Sequence, residues 1–403
     1  MPLDFGETIS QLDQVVESLG RGWEDRESRL QKLVAEAARV TTPDAKERTR
    51  YDTARGFLTA QVEESLLGGY PPPTLPPDWS VASVDGSHID VDRHLPIGCY
   101  LINLGGCELR YGARPDARFF SRPKLVANPA GLHLSNPANP SEEEPVTGAL
   151  LGLERTVREL ERLADGFQEC PPELPTLALL DGSLVLWGLS GQGYRPFVRD
   201  AIIRDRLLPA LVRMQALAQQ RPFALAAYVS LPRSTEVVNA VKQCLCTYDS
   251  AFCRQSCNHR RSASPPCDLA NDFLDRDLFG RTLAPGWRSP IYRTNSSVPR
   301  EHYGEQQQVY FYYLHGGEEI GRVEVPRWVA QNGALLSLSH ALVLDQCQRG
   351  QGYPVAISEA HEQAVIHVSD RRLFRQMVAE ALERRGLPVY TSEKERSKRT
   401  PWV

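Results

Sequence analysis

SVASVDGS at residues 80–87 is a run of small and apolar residues suited to a buried strand, closed by an Asp-Gly-Ser turn. LALLDGS at residues 177–183 repeats the phrase. Short apolar runs bounded by turn residues are strand signals, and glycine lets the chain turn sharply behind the aspartate. If the two strands are neighbours in one sheet, the carboxylates of Asp85 and Asp181 leave it at the same edge. Two carboxylates so placed repel each other unless a cation lies between them. Hard divalent ions such as Mg²⁺ or Mn²⁺ prefer oxygen ligands, and an ion held this way activates water and stabilises phosphoryl transfer. A single Asp-Gly-Ser is ordinary turn and helix-cap chemistry. Its repetition at the end of two apolar strands is what points to a site.

Around those strands the chain alternates strand and helix, which implies an α/β domain. A partner strand is expected over Gly98 to Leu109, bent or bulged at Gly105-Gly106. With no helix between it and the first strand, the sheet must be mixed. Residues 112 to 146, rich in Pro and Asn, read as a long excursion. Helices are expected over Thr147–Leu163, Phe197–Gln219 and Glu236–Leu245, a further strand over Ala224–Ser230, and a hairpin over Val309–Leu314 and Glu319–Val325. In that hairpin Tyr310, Phe311, Tyr312 and Tyr313 are expected to divide, two to the core and two to a surface. Asn332–Arg349, Glu359–Val368 and Asp370–Arg385 read as helical. Residues 1–70 form a helical N-terminal segment of two or three amphipathic helices, with Ile9, Leu12, Val16, Leu30, Leu33 and Ala37 on its stripe, ended by Gly68-Gly69-Tyr70-Pro71-Pro72-Pro73. That stripe suits packing on its own chain or on a second copy.

Composition narrows the function. The 403 residues are 41% apolar and 24% charged, which supports a folded core. With 46 Lys+Arg against 50 Asp+Glu the net charge is −4, so any nucleic-acid contact needs a local basic groove. Neither GxGxxG nor GxxxxGK[ST] occurs, so no dinucleotide or P-loop site is signalled. The N-terminus has no apolar signal region and no run reaches membrane-spanning length, which reads as a cytoplasmic protein with no membrane contact.

Six segments, VASVDGS, TLALLDGSL, YVSLPRSTEVVNAV, DRDLFGRTLAPGWRSPIY, RVEVPRWVA and YPVAISEAH, resemble the NurA nuclease family in sequence and in order, over roughly residues 78 to 370. The resemblance implies an RNase H-like α/β core, a NurA-like nuclease domain over residues 78–390, and a Mn²⁺- (or Mg²⁺-) dependent DNA nuclease. The implied activity is 5′→3′ exonuclease and single-strand endonuclease, resecting DNA ends in double-strand-break repair. It also implies a homodimer and a hexameric HerA-type ATPase as partner. Carried over by position, the site comprises Asp85, a helical glutamate, Asp181, Tyr353 and His361, with Asp85, Asp181 and His361 as metal ligands. Glu154 and Glu159 remain alternatives for the glutamate. A non-catalytic DNA-binding subunit of such an ATPase complex is the competing reading, and the intact aspartates argue against it.

Three further features are weighed on their own residues. Cys244, Cys246, Cys253, Cys257 and Cys267, with His259, crowd a cysteine-rich insertion at 244–267 that suits a structural Zn or Fe–S centre, although only Cys253–Cys257 has knuckle spacing. Arg254, Arg260 and Arg261, then Arg281, Trp287, Arg288, Tyr292 and Arg293, interleave guanidinium and ring as a single-strand platform would. A basic tail, 391–403, reads as solvated or partner-binding.

Overall fold

The computed structural model describes residues 4–50, 57–91, 97–166, 171–191, 193–246 and 265–387, apart from the side chains of residues 18, 19 and 21. Its main elements, in chain order, are α1 (Phe5–Ala38), β1 (Trp79–Ile89), β2 (Tyr100–Tyr111), β3 (Asp116–Val126), α2 (Gly148–Gly166), β4 (Thr176–Asp181), α3 (Leu208–Ala218), β5 (Phe223–Val229), α4 (Glu236–Leu245), β6 (Val309–His315), β7 (Ile320–Pro326), α5 (Gly333–Arg349), α6 (Val355–Ala364) and α7 (Val368–Glu383). Contacts divide the chain into two compact units. One comprises Met1–Pro71, Leu231–Asn295 and Phe311–Arg322; the other comprises Pro72–Ser230, Ser296–Tyr310 and Val323–Val403.

The second unit carries both Asp-Gly-Ser strands. β1, β2 and β3 are antiparallel neighbours, β4 runs parallel to β1, and β5 parallel to β4, giving the order β3-β2-β1-β4-β5. Helices α2 and α3 fill the connections either side of β4. This is an RNase H-like arrangement in a mixed sheet. β4 and β5 are covered on both faces, as their unbroken apolar sequences require.

Four details differ from the sequence reading. β1 does not stop at Asp85 but runs on to Ile89, held by pairing with β2 as far as Ile89↔Leu101. The β1–β2 register passes through Gly105 and Gly106 without a shift, so the glycines make no bulge. The 112–146 excursion contains β3, an edge strand exposed along most of its length. Its Arg118, Arg122, Pro123 and Lys124 suit an edge but disguise a strand in sequence. The expected helix after β4 is interrupted, with a π-helical stretch at Asp200–Leu207 just before Pro209, which has no N–H to give the helix.

In the first unit the N-terminal segment folds, among the described residues, as two helices, as expected: α1, 34 residues long and capped by Asp4, whose carboxylate accepts from the Glu7 N–H at 3.1 Å, and a short helix at Thr42–Arg48. Gly20 and Gly22 lie within α1 and do not break it. Its C-terminal half buries Leu30, Leu33 and Ala37 in a core with Val237, Val241, Phe279 and Tyr313. Its N-terminal half leaves Phe5, Ile9, Leu12 and Val16 exposed. All four aromatics of β6 are buried, not two. Within this unit Phe311 and Tyr313 pack with Tyr292 and Phe279, while Arg288 lies 5.8 Å from the Tyr312 ring.

Candidate active site

The six residues offered for the catalytic site, Asp85, Glu154, Glu159, Asp181, Tyr353 and His361, all belong to the second unit. β1 and β4 pair in parallel up to Val84↔Leu180, so Asp85 and Asp181 are the next residues on adjacent strands. Which way each points follows from strand alternation. Asp85 is paired with Gly105 of β2, where a Cβ would fall 2.2 Å from the Ala364 nitrogen. The missing side chain therefore lets the end of α6 lie against the sheet on that face. Ser87 Oγ, 2.5 Å from the Ala364 carbonyl, and Asn103 Nδ2, 3.0 Å from it, fasten that end. In this way α6 brings His361 to Asp85, with Nδ1 2.9 Å from Oδ2.

Gly86 faces the other way, toward α2. A Cβ there would meet Glu159 Oε1 at 2.6 Å and Arg155 Cγ at 2.8 Å. The glycine behind the first aspartate is thus the opening through which a glutamate on α2 approaches the strand ends. Glu159 is buried, and that burial pushes its pKa up to about 8; Arg155 opposes the rise, while Asp85 and Asp181 add to it. Arg155 Nε lies 3.1 Å from Glu159 Oε1 but is not aligned to donate, and this oxygen has no hydrogen-bond partner. Glu154 is placed differently. It accepts from Arg158 Nε at 2.8 Å and pairs with Arg206, which also binds Glu161 at 2.6 Å. The two glutamates are about 140° apart around the helix, so only Glu159 joins the aspartates.

Asp181 ends β4. Burial raises its pKa and Asp85 adds to the rise, while the Tyr353 hydroxyl, donating to Oδ1 at 3.0 Å, and His361 pull it down. Tyr353 is steadied edge-on by Tyr228 of β5, with ring centres 5.8 Å apart. Gly182, at φ +90°, turns the chain and donates to the Tyr228 carbonyl at 2.9 Å. Ser183 then donates to Glu324 Oε2 at 2.7 Å, and the Leu184 N–H donates to the same oxygen at 2.9 Å. Glu324, from the RVEVPRWVA segment, thereby anchors the Asp181 turn. Sequence reasoning passed over it, and its signal was a lone acid inside an apolar strand.

Asp85, Asp181 and Glu159 thus form an acidic group flanked by His361 and Tyr353, one buried oxygen of it without a hydrogen bond. No group of three or more His, Cys, Asp or Glu among the described residues stands in ready-made metal-binding geometry. Asp85 is turned to His361 and the Gly86 N–H, and Asp181 to Tyr353. The donors fit a hard cation in kind: they are oxygens from acids whose mutual repulsion a cation would relieve.

The remaining candidates lie elsewhere. Arg288 is buried over the Tyr70 ring at 4.0 Å, Tyr292 is buried in the first unit's core, Arg281 pairs with Glu27, and Arg293 bonds Gln61. Arg288 and Tyr292 are thus buried within the first unit, while Arg281 stays exposed on its pair with Glu27. Arg254, Arg260, Arg261, Cys253, Cys257, His259 and the 391–403 tail lie outside the described residues. Cys246 at the rim of the insertion is buried. No helix among the described residues is long and apolar enough to cross a membrane.

A family model described as the NurA domain matches residues 80–366. No curated protein matches. Among solved structures, the NurA nuclease from Sulfolobus solfataricus aligns over 92% of this chain and 98% of its own, at 12% identity and a TM-score of 0.48. A structure of NurA with manganese aligns over 80% of this chain and 92% of its own, at 10% identity and a TM-score of 0.36. These superpositions are too loose to map residue onto residue, and the domain match carries the assignment.

Proposed function

The chain belongs to the NurA family, and from that premise we propose that it is a divalent-metal-dependent DNA nuclease whose site is Asp85, Glu159, Asp181, Tyr353 and His361. The observation that carries this reading is the buried oxygen of Glu159 that takes no hydrogen bond and faces the gap at Gly86, on a carboxylate electrostatically coupled to the two strand-end aspartates.

Asp85, Asp181 and Glu159 would hold a Mn²⁺ or Mg²⁺ ion, with His361 as a further ligand or as a proton carrier. When bound, such an ion supplies Lewis-acid activation of water and neutralises charge at the phosphodiester. The chain's own groups do the rest. Tyr353 fixes one oxygen of Asp181 and leaves the other for the site. His361, on Asp85, holds an exchangeable proton where hydrolysis must move one: water's oxygen bonds phosphorus, a P–O ester bond breaks, and the departing oxygen takes a proton. Glu324 and Ser183 keep the Asp181 turn from drifting.

The finer reading is also a proposal: 5′→3′ exonuclease and single-strand endonuclease activity in DNA-end resection, cytoplasmic, as a homodimer with a HerA-type hexameric ATPase. The exposed Phe5, Ile9, Leu12 and Val16 on one stripe of α1 support a partner face. Incubation of the purified protein with linear duplex and single-stranded DNA, labelled at either end, in Mn²⁺ or EDTA tests the activity. Mn²⁺-dependent cleavage, lost in Asp85→Ala, is expected; equal cleavage by both proteins would defeat the assignment. A dimeric mass by light scattering is expected alongside.

A further inference from the structure

The opposite side of α2 holds a second charged site with a different balance. A cavity of about 610 Å³ lies between α2, the β2–β3 edge and Arg206. Arg122, Lys124, Arg158, Arg162 and Arg206 line it. Only three carboxylates, Glu154, Glu161 and Asp165, line it with them, leaving a surplus of positive charge on a chain whose net charge is −4. Strand register explains the grouping. Lys124 and Arg122 are paired with Ile102 and Leu104, which also line the cavity, so the two cations stand two residues apart on one face of the edge strand.

The cations are not all spent on the carboxylates. Arg206 takes Glu154 and Glu161, and Arg158 takes Glu154. Arg158 Nη1 nevertheless stays buried without a hydrogen-bond partner. Arg122 and Lys124 are exposed and form no ion pair among the described residues. Arg122 and Arg162 both lie over the Phe120 ring, at 5.5 and 4.6 Å, and both line the cavity. Like charges lining one cavity are relieved by an anion with several acceptor oxygens, and the guanidinium fork matches phosphate.

We propose that this cavity is a phosphate-binding subsite for the backbone of the DNA strand. The inference rests on the nuclease reading for the identity of the polyanion, and it adds a second contact on the helix that carries Glu159. Because it contacts phosphates, the subsite contributes affinity and salt dependence but no sequence preference.

Fluorescence anisotropy of a labelled single-stranded oligonucleotide, titrated with the full-length protein in EDTA over a series of salt concentrations, tests it without cleavage. The double variant Arg122→Ala/Lys124→Ala is expected to bind ~10-fold more weakly at low salt, with the slope of log K against log salt reduced by ~1.4 for two lost phosphate contacts. Arg122→Lys/Lys124→Arg keeps the charge and is expected to stay within ~2-fold of wild type. Circular dichroism melts confirm that these exposed substitutions leave the fold intact. Identical binding and slope in the alanine double variant would overturn the subsite, as would no binding by the wild type; an acidic protein segment as the true occupant would give the former. The two readings fail separately. Cleavage in Mn²⁺ with an unaffected double variant removes the subsite alone, whereas weakened binding by the variant of a wild type that never cleaves removes the nuclease alone.

Discussion

Each compact unit of this protein holds a pair of acids, the buried Asp275 and Glu236 in the first and Asp85 with Asp181 beside the buried Glu159 in the second, and the two groups are treated oppositely. In the first unit Asp275 accepts from the Val238 N–H at 2.7 Å, from Ser234 Oγ at 3.0 Å and from the Tyr313 hydroxyl at 2.6 Å. Its neighbour Glu236 pairs with Arg322 at 2.7 Å and accepts from Thr294 at 2.7 Å. Burial still raises the Glu236 pKa, but Arg322 and Thr294 pull against it. In the second unit Glu159 has the Gly86 N–H and one misaligned arginine against it, an oxygen with no hydrogen bond, and two aspartates pushing its pKa up. A buried acid with its partners in place is structural, because removing it leaves donors unsatisfied. A buried acid left short of partners is costly in the metal-free chain and marks a place where something positive is meant to arrive.

The largest effects should separate the pairs cleanly. Asp85→Ala or Asp181→Ala is expected to cut Mn²⁺-dependent cleavage by ~10³-fold or more while leaving the thermal midpoint of the metal-free protein unchanged or raised, since a repelling charge has gone. Asp275→Ala should do the reverse in kind, costing ~3–5 kcal/mol of stability through the stranded donors. Cleavage assays and thermal melts on the same preparations measure both. A destabilised Asp85→Ala protein with residual activity would erase the contrast.

Glu159→Gln comes next. Glu159 has an ordinary pKa of 4.5 and a folded value of about 8, so the folded state favours its protonated form. That preference is fully present below 4.5 and is lost as pH rises toward 8. The metal-free wild type should therefore lose stability across this window, and Glu159→Gln should flatten the profile. Mn²⁺ should reverse the trend, since it binds the ionised acids. Thermal midpoints against pH, with and without Mn²⁺, decide; a wild-type profile as flat as the variant's would remove Glu159 from the site.

Much of this organisation was legible in the sequence, and the gaps have physical causes. The two strand-end aspartates announce themselves because an apolar run cut by Asp-Gly-Ser has few other meanings twice over. β3 stayed hidden because an exposed edge strand needs no apolar alternation. The choice between Glu154 and Glu159 could not be read, because both are buried on α2 and only the position of Gly86 across from the helix separates them. Gly105 was legible as special but not for the right reason: it admits the backbone of α6 and does not bend a strand. The serines after both glycines read as turn or cap residues, yet Ser87 ties down α6 and Ser183 ties to Glu324.

The glycines supply an intermediate effect. Gly86→Ala sets a methyl 2.6 Å from the Glu159 carboxylate, the movable end of a side chain. Stability should fall by only ~1 kcal/mol, while cleavage falls ~10–100-fold as the glutamate is displaced. Gly105→Ala drives a methyl into the backbone at Ala364 and should cost more, ~1–3 kcal/mol, with activity falling because His361 moves with the helix. Paired melts and single-turnover rates distinguish the two, and equal stability losses would mean that Gly86 is packing and not an opening.

The smallest expected effect sharpens the comparison most, because it substitutes the same atom in both units. Tyr353→Phe and Tyr313→Phe each remove one hydroxyl donating to an aspartate, at 3.0 Å to Asp181 and 2.6 Å to Asp275. Tyr313 is buried, so its loss leaves Asp275 Oδ2 short of a donor in a place water does not reach, and stability should fall by ~1–2 kcal/mol with cleavage unchanged in its pH dependence. Tyr353 is only partly buried, so its loss should barely move the melt. It does remove the largest influence holding the Asp181 pKa down. Asp181 should then protonate at higher pH, moving the acid limb of the cleavage profile upward and lowering the rate ~10-fold at mildly acidic pH, with less change in alkali. A rate loss uniform across pH, or a limb that stays in place, would show that Tyr353 acts on substrate and not through Asp181.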